Sequence, residues 1–461
     1  MISPDFSTKV PERLGHVHFI GIGGSGMSGL ARLLLQSGHK VTGSDVRGSG
    51  NIDSLIELGA EISIPHDAKN LGSADTVVVT GALWDTNEEL LEAQNRGLPI
   101  LHRAVLLASM ASKHRLIAVA GAHGKTTTTG MIITGLRNLG EDPSFVNGGV
   151  ITEYGLSSDF GKSDLFVIEA DESDGSFLNY ETNIAVITNV DADHLDHYGS
   201  EQGFFDAFND FASNAEEFAV VNSSDGGCQK LAVMKKPETW KFGYQNADVV
   251  LSKVDASGPR VSFSVSYKQQ IQKLSLNMAG AHNAENASAA ISVLVGLGHD
   301  FQKACQAVAS YHGAQRRFEL HGEYRGVQVF DDFAHHPTEV AAALKGARAS
   351  NPGGKLITVF QPHLFSRTRI FQKEFAEVLA LSDQVIVTDV YAAREDPEPG
   401  VTGELIVNHF QDSSQVHYVP EWDSVPQVAA ELAESGDFII TMGCGDIYKM
   451  CPDLLHSLEQ E

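Results

Sequence analysis

The stretch that decides the fold of this chain is Arg115 to Met131, which reads RLIAVAGAHGKTTTTGM. Its first part, Leu116 to Ala120, is a short apolar run of the kind that forms a buried strand. The run stops at glycines and resumes as a helix that opens on Lys125. Glycines let backbone N–H groups approach a polyphosphate, and the N-terminus of the helix adds partial positive charge. The stretch therefore predicts an α/β domain that binds a nucleotide.

The predicted phosphate loop differs from the general P-loop pattern at one position. That pattern has a glycine five positions before its second glycine, and the residue five before Gly124 is Val119. The loop is therefore a shortened variant, and the alternative is an ordinary glycine turn before a helix. In a phosphate loop Lys125 contacts the β- and γ-phosphates, and the hydroxyl of Thr126 binds Mg²⁺. We predict that ATP and Mg²⁺ bind on Gly121, Ala122, His123, Gly124, Lys125, Thr126 and Thr127.

The length and composition of the chain restrict its class. A chain of 461 residues is too long for one core and suggests about three domains. It contains no apolar run of roughly 18 residues and no apolar signal segment, so we expect neither a membrane span nor a signal peptide. The net charge of −26 argues against nucleic acid or an anionic membrane as a partner. Four scattered cysteines fit free thiols in a reducing cytoplasm.

A second glycine motif lies near the start of the chain. The segment HVHFIGIGGSGMSGLARLLLQSGHKVTGSD, residues 16 to 45, combines an apolar strand, the pattern G-x-G-x-x-G, a helix and a second strand. This is the fingerprint of a βαβ unit that binds a diphosphate, with an acid about 20 residues on that bonds a ribose hydroxyl. A nicotinamide dinucleotide and a UDP-sugar carry the same group, and a tight turn without ligand is the remaining alternative. The candidate residues are Gly21, Gly23, Gly24, Ser25, Gly26 and Asp45.

Acidic residues follow two strand-like runs after the phosphate loop. DLFVIEADESD places Glu169 at the end of one run, and IAVITNVDADHLD places His194 after the next. Carboxyl ends of parallel strands meet at one edge of a sheet, and Mg²⁺ prefers oxygen ligands. We therefore predict that Glu169 binds the metal and that His194 is a further ligand or positions one. Solvated loop acids are the alternative.

The last third of the chain carries a further set of candidates. Asn283 and Asn286 lie three residues apart at a helix entry, where they either contact the nucleotide or cap the helix. Arg316 and Arg317 lie in a polar joint before a new strand, and the segments DDFAHHPTE and QPHLFSRTR follow later strands. Histidines and arginines at strand ends form a cationic edge suited to an anionic acceptor. We predict three α/β domains in series, at residues 1–113, 114–318 and 319–461.

Together these motifs resemble the Mur ligases of bacterial cell-wall synthesis. The resemblance spans all three domains and rests on GIGGSGMSGLA, GAHGKTTTT, EADESD, NVDADHLD, HNAENA, RRFE, DDFAHHPTE and QPHLFSRTR. It is closest to the branch that adds L-alanine. It implies Rossmann-like first and third domains around a P-loop-type ATP-binding centre. It also implies ATP-dependent, ADP-forming ligation of L-alanine to UDP-N-acetylmuramate, through an acyl phosphate, for peptidoglycan, cell shape and cell division. A monomer or weak homodimer is expected.

The resemblance also implies roles for individual residues. The catalytic set is Lys125, Glu169, His194, Arg317 and Asp332, and the metal ligands are Thr126, Glu169 and His194. Asn283 and Asn286 lie at the nucleotide, and the first glycine loop with Asp45 binds the UDP part. Either His335 or His336, with Arg367, binds the incoming alanine or the neighbouring carboxylate. Arg317 and Asp332 complete the site when the domains close.

Two departures from the family pattern bear on the branch. Several sister ligases carry a carbamylated lysine soon after the metal histidine, and no lysine occurs here between His194 and Lys230. The alanine-adding branch also lacks that lysine. Some members have arginine where this chain has Leu364, which affects the picture of the amino-acid pocket but not the reaction. Three alternatives stay open: a ligase that recycles a whole tripeptide, a nicotinamide oxidoreductase and a non-catalytic nucleotide-binding module.

Overall fold

The computed structural model describes residues 8–81, 83–191, 198–231, 238–258, 260–392 and 395–460. The chain forms two compact units. The first unit takes in residues up to Val254 together with Ser262–Ser275 and His282–His312, and the second comprises Asp255–Val261, Leu276–Ala281 and Gly313–Glu461. Among the described residues, no helix has the length and apolar character needed to cross a membrane.

The first sheet has five parallel strands in the order β3-β2-β1-β4-β5. Its strands are β1 (Val17–Ile20), β2 (Val41–Ser44), β3 (Glu61–Ser63), β4 (Thr76–Val79) and β5 (Ile100–His102). Its helices are α1 (Ser25–Gln36), α2 (Gly50–Glu57), α3 (Glu88–Asn95) and α4 (Arg103–Ala111), with a 3₁₀ turn at Ala68–Leu71. Strand order reverses between β1 and β4, so the crevice at the carboxyl ends of these strands is where such sheets bind ligands.

The second sheet has ten strands in the order β15-β14-β13-β12-β11-β10-β6-β9-β7-β8. They are β6 (Arg115–Ala120), β7 (Ser144–Ile151), β8 (Leu156–Asp159), β9 (Leu165–Glu169), β10 (Ile184–Ile187), β11 (Phe218–Asn222), β12 (Glu238–Gly243), β13 (Val249–Asp255), β14 (Val261–Tyr267) and β15 (Gln270–Leu276). The helices are α5 (Lys125–Asn138), α6 (Glu201–Ser213), α7 (His282–Gly296) and α8 (Phe301–Ala309), with 3₁₀ turns at Ser176–Asn179 and Cys228–Lys230. Strand β6 lies between parallel neighbours β9 and β10, which explains why its side chains from Leu116 to Ala120 are wholly buried.

The third sheet has six strands in the order β16-β17-β21-β18-β19-β20, parallel except for β16. They are β16 (Glu319–Tyr324), β17 (Val327–Asp332), β18 (Leu356–Phe360), β19 (Gln384–Val387), β20 (Val416–Tyr418) and β21 (Phe438–Met442). The helices are α9 (Pro337–Ser350), α10 (Phe365–Leu379), α11 (Glu404–Val407), α12 (Val425–Leu432) and α13 (Cys451–Gln460), with 3₁₀ turns at Trp422–Ser424 and Ile447–Met450. Two separate apolar cores hold the helices against this sheet.

These sheets confirm the predicted α/β fold. The predicted apolar run from Leu116 to Ala120 is strand β6, which begins one residue earlier at Arg115, and Glu169 ends β9 as predicted. Helix α5 begins at Lys125, as the sequence indicates. The region after Ala215 contributes strands β11 to β15 to the second sheet. The exact boundaries at residues 113 and 318 stay a prediction.

Candidate active site

The phosphate loop connects β6 to α5 and needs its glycines. Gly121 has φ +138°, and a Cβ there would lie 2.1 Å from Oγ1 of Thr188. Gly124 has φ +81°, and a Cβ there would lie 2.5 Å from Oδ1 of Asn286. Both conformations are in the region that favours glycine, and both positions also lack room for a side chain. The loop backbone therefore takes the close turn that a phosphate-binding loop requires.

Two polar residues after β10 hold this loop in place. The backbone N–H of His123 donates to Oδ1 of Asn189 at 2.8 Å. The carbonyl oxygen of His123 accepts hydrogen bonds from the Thr188 hydroxyl at 2.7 Å and the Asn189 amide at 2.8 Å. Neither residue was predicted from the sequence, although their position directly after an apolar strand was a usable signal. They fix His123 at the tip of the loop without using its side chain.

Lys125 makes a buried ion pair. Its Nζ donates to Oε1 of Glu172 and to the carbonyl oxygen of Gly121, both at 2.7 Å. The two side chains of the pair are 17% and 5% exposed. Burial lowers the pKa of Lys125, but the carboxylates of Glu172 and Glu169 outweigh it and raise the pKa above its ordinary value. The lysine is therefore charged, and its ammonium lies at the first glycine of the loop.

Glu169 and Thr126 face each other at the end of β9. The Thr126 hydroxyl donates to Oε1 of Glu169 at 3.1 Å, and the backbone N–H of Gly148 donates to Oε2 at 2.6 Å. Both side chains present the oxygen atoms that Mg²⁺ prefers. No cluster of three or more His, Cys, Asp and Glu suits a metal ion in the described part of the chain. Two protein oxygens are nevertheless a fitting set, because Mg²⁺ usually keeps waters and takes other ligands from substrate phosphates.

Three further residues were predicted at this site: Asn283, Asn286 and His194. Asn286 lies beside Gly124 and donates to Oδ1 of Asn283 at 3.2 Å, so both amides are buried at the start of α7, close to the phosphate loop. His194 lies in 192–197, outside the described residues. The predicted metal role of His194 therefore stays a prediction.

The glycine loop of the first sheet leads from β1 into α1. Gly21 has φ +82°, and its N–H donates to the carbonyl oxygen of Ser44 at 2.8 Å. Gly24 caps α1 without a side-chain hydrogen bond, so Ser25 and Gly26 open the helix. The carboxylate of Asp45 accepts hydrogen bonds from the N–H of Gly23 at 2.8 Å and from the N–H of Val46. Asp45 therefore holds the loop itself, and its predicted contact with the UDP part stays a prediction.

Arg103 connects the two loops within the first unit. A Cβ on Gly26 would lie 3.0 Å from a guanidinium nitrogen of Arg103. The other terminal nitrogen of Arg103 lies 3.4 Å from the carboxylate of Asp171, which follows β9. One cation thus lies beside the diphosphate loop of the first sheet and the acidic loop of the second. Arg103 lies at the start of α4 outside any recognisable motif, so it was not predicted from the sequence.

In the second unit the two adjacent arginines have different environments. Arg316 donates to Oδ2 of Asp331 at 2.9 Å and to the carbonyl oxygen of Gly443 at 2.6 Å, so it ties β17 to the loop after β21. Arg317 is exposed and lies over the ring of Phe333. The arginine with the exposed side chain is thus Arg317, the one predicted to act in catalysis.

Asp332 ends β17 and is buried. Its two carboxylate oxygens accept the backbone N–H groups of Phe318 and Ala334, each at 2.8 Å. Burial raises the pKa of Asp332 to about 6, although the nearby charge of Arg317 acts in the opposite direction. The carboxyl therefore changes charge near the lower limit of physiological pH.

The predicted amino-acid residues form a partly connected group. The ring of His335 lies 2.9 Å from the carbonyl oxygen of Phe333 and has its centroid 6.1 Å from that of His363. Burial lowers the pKa of His335, and the charges of Arg367 and Arg317 add to that effect while Glu339 opposes it. His336 instead packs its ring on Phe371, at 5.0 Å between centroids. Of the two histidines, His335 is the one grouped with Arg367.

Arg367 has a spare donor. One of its terminal nitrogens, Nη1, is buried without a hydrogen-bond partner in the described part of the chain. A buried guanidinium N–H without a partner is costly, and a carboxylate ligand would satisfy it. This is the feature expected at an amino-acid site.

Fold and site together define a multidomain α/β protein with a phosphate-binding loop and a separate diphosphate-type glycine loop. Three family models match in succession: "Mur ligase family, catalytic domain" at residues 16–115, "Mur ligase middle domain" at 119–294 and "Mur ligase, glutamate ligase domain" at 316–445. A relative from Clavibacter michiganensis subsp. michiganensis, named UDP-N-acetylmuramate–L-alanine ligase, is 53% identical and covers 100% of this chain and 97% of its own length. The chain belongs to the Mur ligase family.

Two solved structures are similar over nearly the whole chain. The UDP-N-acetylmuramate-alanine ligase MurC of Thermotoga maritima has a TM-score of 0.84 at 28% identity, and covers 96% of this chain and 99% of its own. A murein peptide ligase from Psychrobacter arcticus has a TM-score of 0.75 at 27% identity, and covers 97% and 99%. The similarity to the alanine ligase is therefore greater than that to the peptide ligase.

Proposed function

We propose that the protein catalyses the ATP-dependent, ADP-forming ligation of L-alanine to the lactyl carboxylate of UDP-N-acetylmuramate, a step of peptidoglycan synthesis. One observation carries this proposal: a relative named UDP-N-acetylmuramate–L-alanine ligase is 53% identical over the full chain. The phosphate loop with Lys125 supplies the chemistry that such a reaction needs. The reaction of a nicotinamide oxidoreductase does not require that phosphate loop.

The first step activates a poor electrophile. An oxygen of the lactyl carboxylate attacks the γ-phosphorus of ATP, the bond to the β–γ bridging oxygen breaks, and an acyl phosphate and ADP form. Most of the catalysis in phosphoryl transfer comes from positioning and charge neutralisation. The ammonium of Lys125 is the group of this chain proposed to contact the transferring phosphoryl group. Its present partner, Glu172, keeps it charged and oriented.

Glu169 and Thr126 are proposed to hold Mg²⁺ at this site, with His194 as a further ligand. When bound, the ion offsets the negative charge of the phosphates. Gly148 contributes by donating its N–H to the far oxygen of Glu169, which fixes the direction of the carboxylate. Asn283 and Asn286, next to the phosphate loop, are proposed to contact the nucleotide.

The second step forms the amide. The amine of alanine attacks the acyl carbon, the tetrahedral intermediate expels phosphate, and the proton released by the amine goes to the departing phosphate. Arg367, with its unpartnered Nη1, and His335 are proposed to bind the carboxylate of alanine. Arg317 and Asp332 are proposed to contribute charge to this step.

The UDP part is proposed to bind at the first glycine loop. Gly21 to Gly26 bring backbone N–H groups and the N-terminus of α1 to the diphosphate, and Arg103 adds a cation beside Gly26. Since the reaction consumes ATP and a nucleotide sugar, we propose a cytoplasmic enzyme. A monomer or weak homodimer stays the expected state.

The deciding experiment measures phosphate release from ATP with Mg²⁺. Reactions contain UDP-N-acetylmuramate with L-alanine, L-serine, glycine or the tripeptide L-Ala-γ-D-Glu-meso-diaminopimelate, and a control omits the sugar nucleotide. We expect phosphate with L-alanine only when the sugar nucleotide is present. Phosphate with the tripeptide alone would assign the recycling reaction instead, and ATP binding without any phosphate would leave only a nucleotide-binding module.

A further inference from the structure

A glutamine at the carboxyl edge of the third sheet is buried with one polar atom unsatisfied. Gln361 directly follows β18, and its backbone N–H donates to the carbonyl oxygen of Met442, the last residue of the neighbouring strand β21. The residue is 5% exposed, and its Nε2 donates to Oδ1 of Asp446 at 3.0 Å. Its Oε1 is buried without a hydrogen-bond partner among the residues that the structure describes. An unsatisfied buried acceptor is costly, and a ligand that donates a hydrogen bond would remove that cost.

Asp446 determines which end of the Gln361 amide is unsatisfied. An ionised carboxylate only accepts hydrogen bonds, so the NH₂ end of the amide must face Asp446 and the carbonyl end must face away from it. The carbonyl oxygen lies against Gly445, where a Cβ would collide with it. Arg316 holds this loop by donating to the carbonyl oxygens of Gly443 and Gly445. The acceptor is therefore fixed in direction and lies beside the loop 443–445.

This unsatisfied acceptor belongs to the same group of side chains as the unsatisfied donor of Arg367. Burial raises the pKa of the thiol of Cys444, the middle residue of the loop, to about 11, and the nearby charge of Arg367 acts against that rise. The ring of Tyr391 also lies against the loop and stacks on the ring of His363, with 5.9 Å between centroids. His363 in turn packs on His335. The group thus offers one buried donor and one buried acceptor to a ligand.

A free α-amino acid has the complementary pair of groups. Its carboxylate accepts hydrogen bonds, and its ammonium donates them. The ammonium must first lose one proton to solvent, because only the neutral amine can attack a carbonyl carbon. A carboxylate partner would oppose that loss, since an opposite charge favours the charged form. A neutral amide oxygen accepts an N–H bond from ammonium and amine alike, and it leaves the lone pair of the nitrogen free for attack.

We propose that Oε1 of Gln361 accepts a hydrogen bond from the α-amino group of the incoming amino acid, and so orients the nucleophile without holding its proton. The carboxylate of the same amino acid binds Arg367. Asp446 is a positioning residue, because it fixes the direction of the Gln361 amide. The inference rests on the proposed function, because it assumes that the amino acid binds at Arg367.

The first test separates contact with the amino group from general packing of the site. Propionate has the carboxylate and the methyl group of alanine but lacks the amino group, so its inhibition constant against L-alanine reports the rest of the site. Both ligands are measured by phosphate release with the full-length protein, ATP, Mg²⁺ and UDP-N-acetylmuramate. In Gln361→Met we expect the KM for L-alanine to rise about tenfold, the effect of one lost hydrogen bond, and the inhibition constant of propionate to stay unchanged. An equal rise for both ligands, or no rise for L-alanine, would overturn the inference.

Gln372→Met is the matched control. Gln372 lies on α10, where its amide donates to the carbonyl oxygen of Arg369 and accepts from the ring of His409. Its substitution removes two hydrogen bonds of the second unit that do not involve the proposed amino-acid site. Both constants should therefore equal those of the unmodified protein.

The second test exchanges the chemical groups of Gln361 and Asp446. In Gln361→Glu/Asp446→Asn the new amide can donate to the new carboxylate, so the pair keeps a hydrogen bond and its net charge, but a carboxylate oxygen now faces the amino group. The bound ammonium should hold its proton more strongly. The acid limb of the rate–pH profile should therefore move up by about one pH unit or more, which a merely structural role would not cause. An unshifted profile would overturn the inference, even if Gln361→Met did not fold.

Other charged and titratable groups surround this position, and they are the same in the exchanged and unmodified proteins. They are Arg316, His335, Glu339, His363, Arg367, Tyr391 and Cys444. A difference between the two profiles therefore belongs to the exchange itself.

The outcomes separate this inference from the proposed function. Alanine-dependent phosphate release with an unchanged KM in Gln361→Met and an unshifted profile in the exchanged variant would overturn the inference and leave the proposed function standing. Absence of alanine-dependent phosphate release in the unmodified protein would overturn both.

Discussion

Replacing Lys125 with methionine separates the stability of the phosphate loop from its chemistry. Methionine retains most of the length of the side chain but removes the ammonium, so Glu172 keeps a buried charge without its partner. Removing one member of a buried ion pair costs about 3–5 kcal/mol in the free energy of unfolding. Since the Lys125 side chain is 17% exposed, we expect a loss near the lower end, about 3 kcal/mol. Phosphate release should fall at least about 100-fold, because one charge contact to the transition state is lost.

The double variant Lys125→Met/Glu172→Gln tests the cause of the instability. A glutamine has no charge to bury, so most of the lost stability should return while phosphate release stays low. Thermal unfolding of the ligand-free protein and phosphate release measure the two effects. Lys230→Met is the control, since Lys230 forms an exposed pair with Glu201 and should change neither quantity.

The pH dependence of the single variant gives a further check. Burial raises the pKa of Glu172, and loss of the lysine raises it further. A carboxyl whose pKa is higher in the folded protein stabilises the fold at low pH, and this stability is lost as the pH rises through that pKa. The stability difference between Lys125→Met and the unmodified protein should therefore shrink on acidification. A single variant as stable as the unmodified protein at neutral pH, or a double variant with normal turnover, would refute the reasoning.

Three other substitutions have defined outcomes. Glu169→Gln should raise the Mg²⁺ concentration for half-maximal phosphate release at least about tenfold, as a magnesium titration would show, and an unchanged titration would contradict the ligand role. Gly124→Ala should weaken ATP binding measured by calorimetry, because its Cβ would lie 2.5 Å from Asn286. Gly140→Ala is the control: Gly140 has φ +91° and nothing within 4 Å, so alanine there brings similar backbone strain without the clash and should leave ATP binding unchanged. The pKa of Asp332 is raised from 3.8 to about 6 in the folded protein, so its carboxyl lowers the free energy of unfolding as the pH rises between these values. Asp332→Asn should remove this fall, as unfolding measurements across that pH range would show.

The fold was predictable where the signal is local. Strand β6 contains the apolar run from Leu116 to Ala120, and its described bounds match the predicted run to within a residue. This run is buried on both faces, which is why no polar residue interrupts it. Strands β12 to β15 were not predicted individually. Polar residues alternate along them, so tertiary contacts rather than the local sequence determine which strands pair. The family and the α/β class, both confirmed, needed only the local motifs.

The site was less predictable, because burial and pairing depend on distant parts of the chain. In the helix sequence EELLEAQN, Glu89 looks like any solvated acid, yet it is fully buried because α3 packs that face against the sheet. The pair Arg316–Arg317 is equally ambiguous in sequence, since Arg316 is held internally by its contacts with Asp331 and with the distant loop after β21. Asp45 was expected at a ribose, and its hydrogen bond to the N–H of Gly23 could not be read from spacing.

The acidity of the chain and its proposed anionic substrates are compatible for a local reason. The cations beside both proposed phosphate sites are already paired: Lys125 with Glu172, and Arg103 with Asp171. Lys125 donates to two oxygens among the described residues, and an ammonium has three N–H groups, so it can contact a phosphate while it stays paired with Glu172. A guanidinium has five N–H groups, so Arg103 can likewise contact a phosphate while it stays beside Asp171. An anion that arrives with its own divalent cation brings less negative charge to these carboxylates, so the pairing favours nucleotide bound with Mg²⁺ over the free anion while the net charge stays at −26.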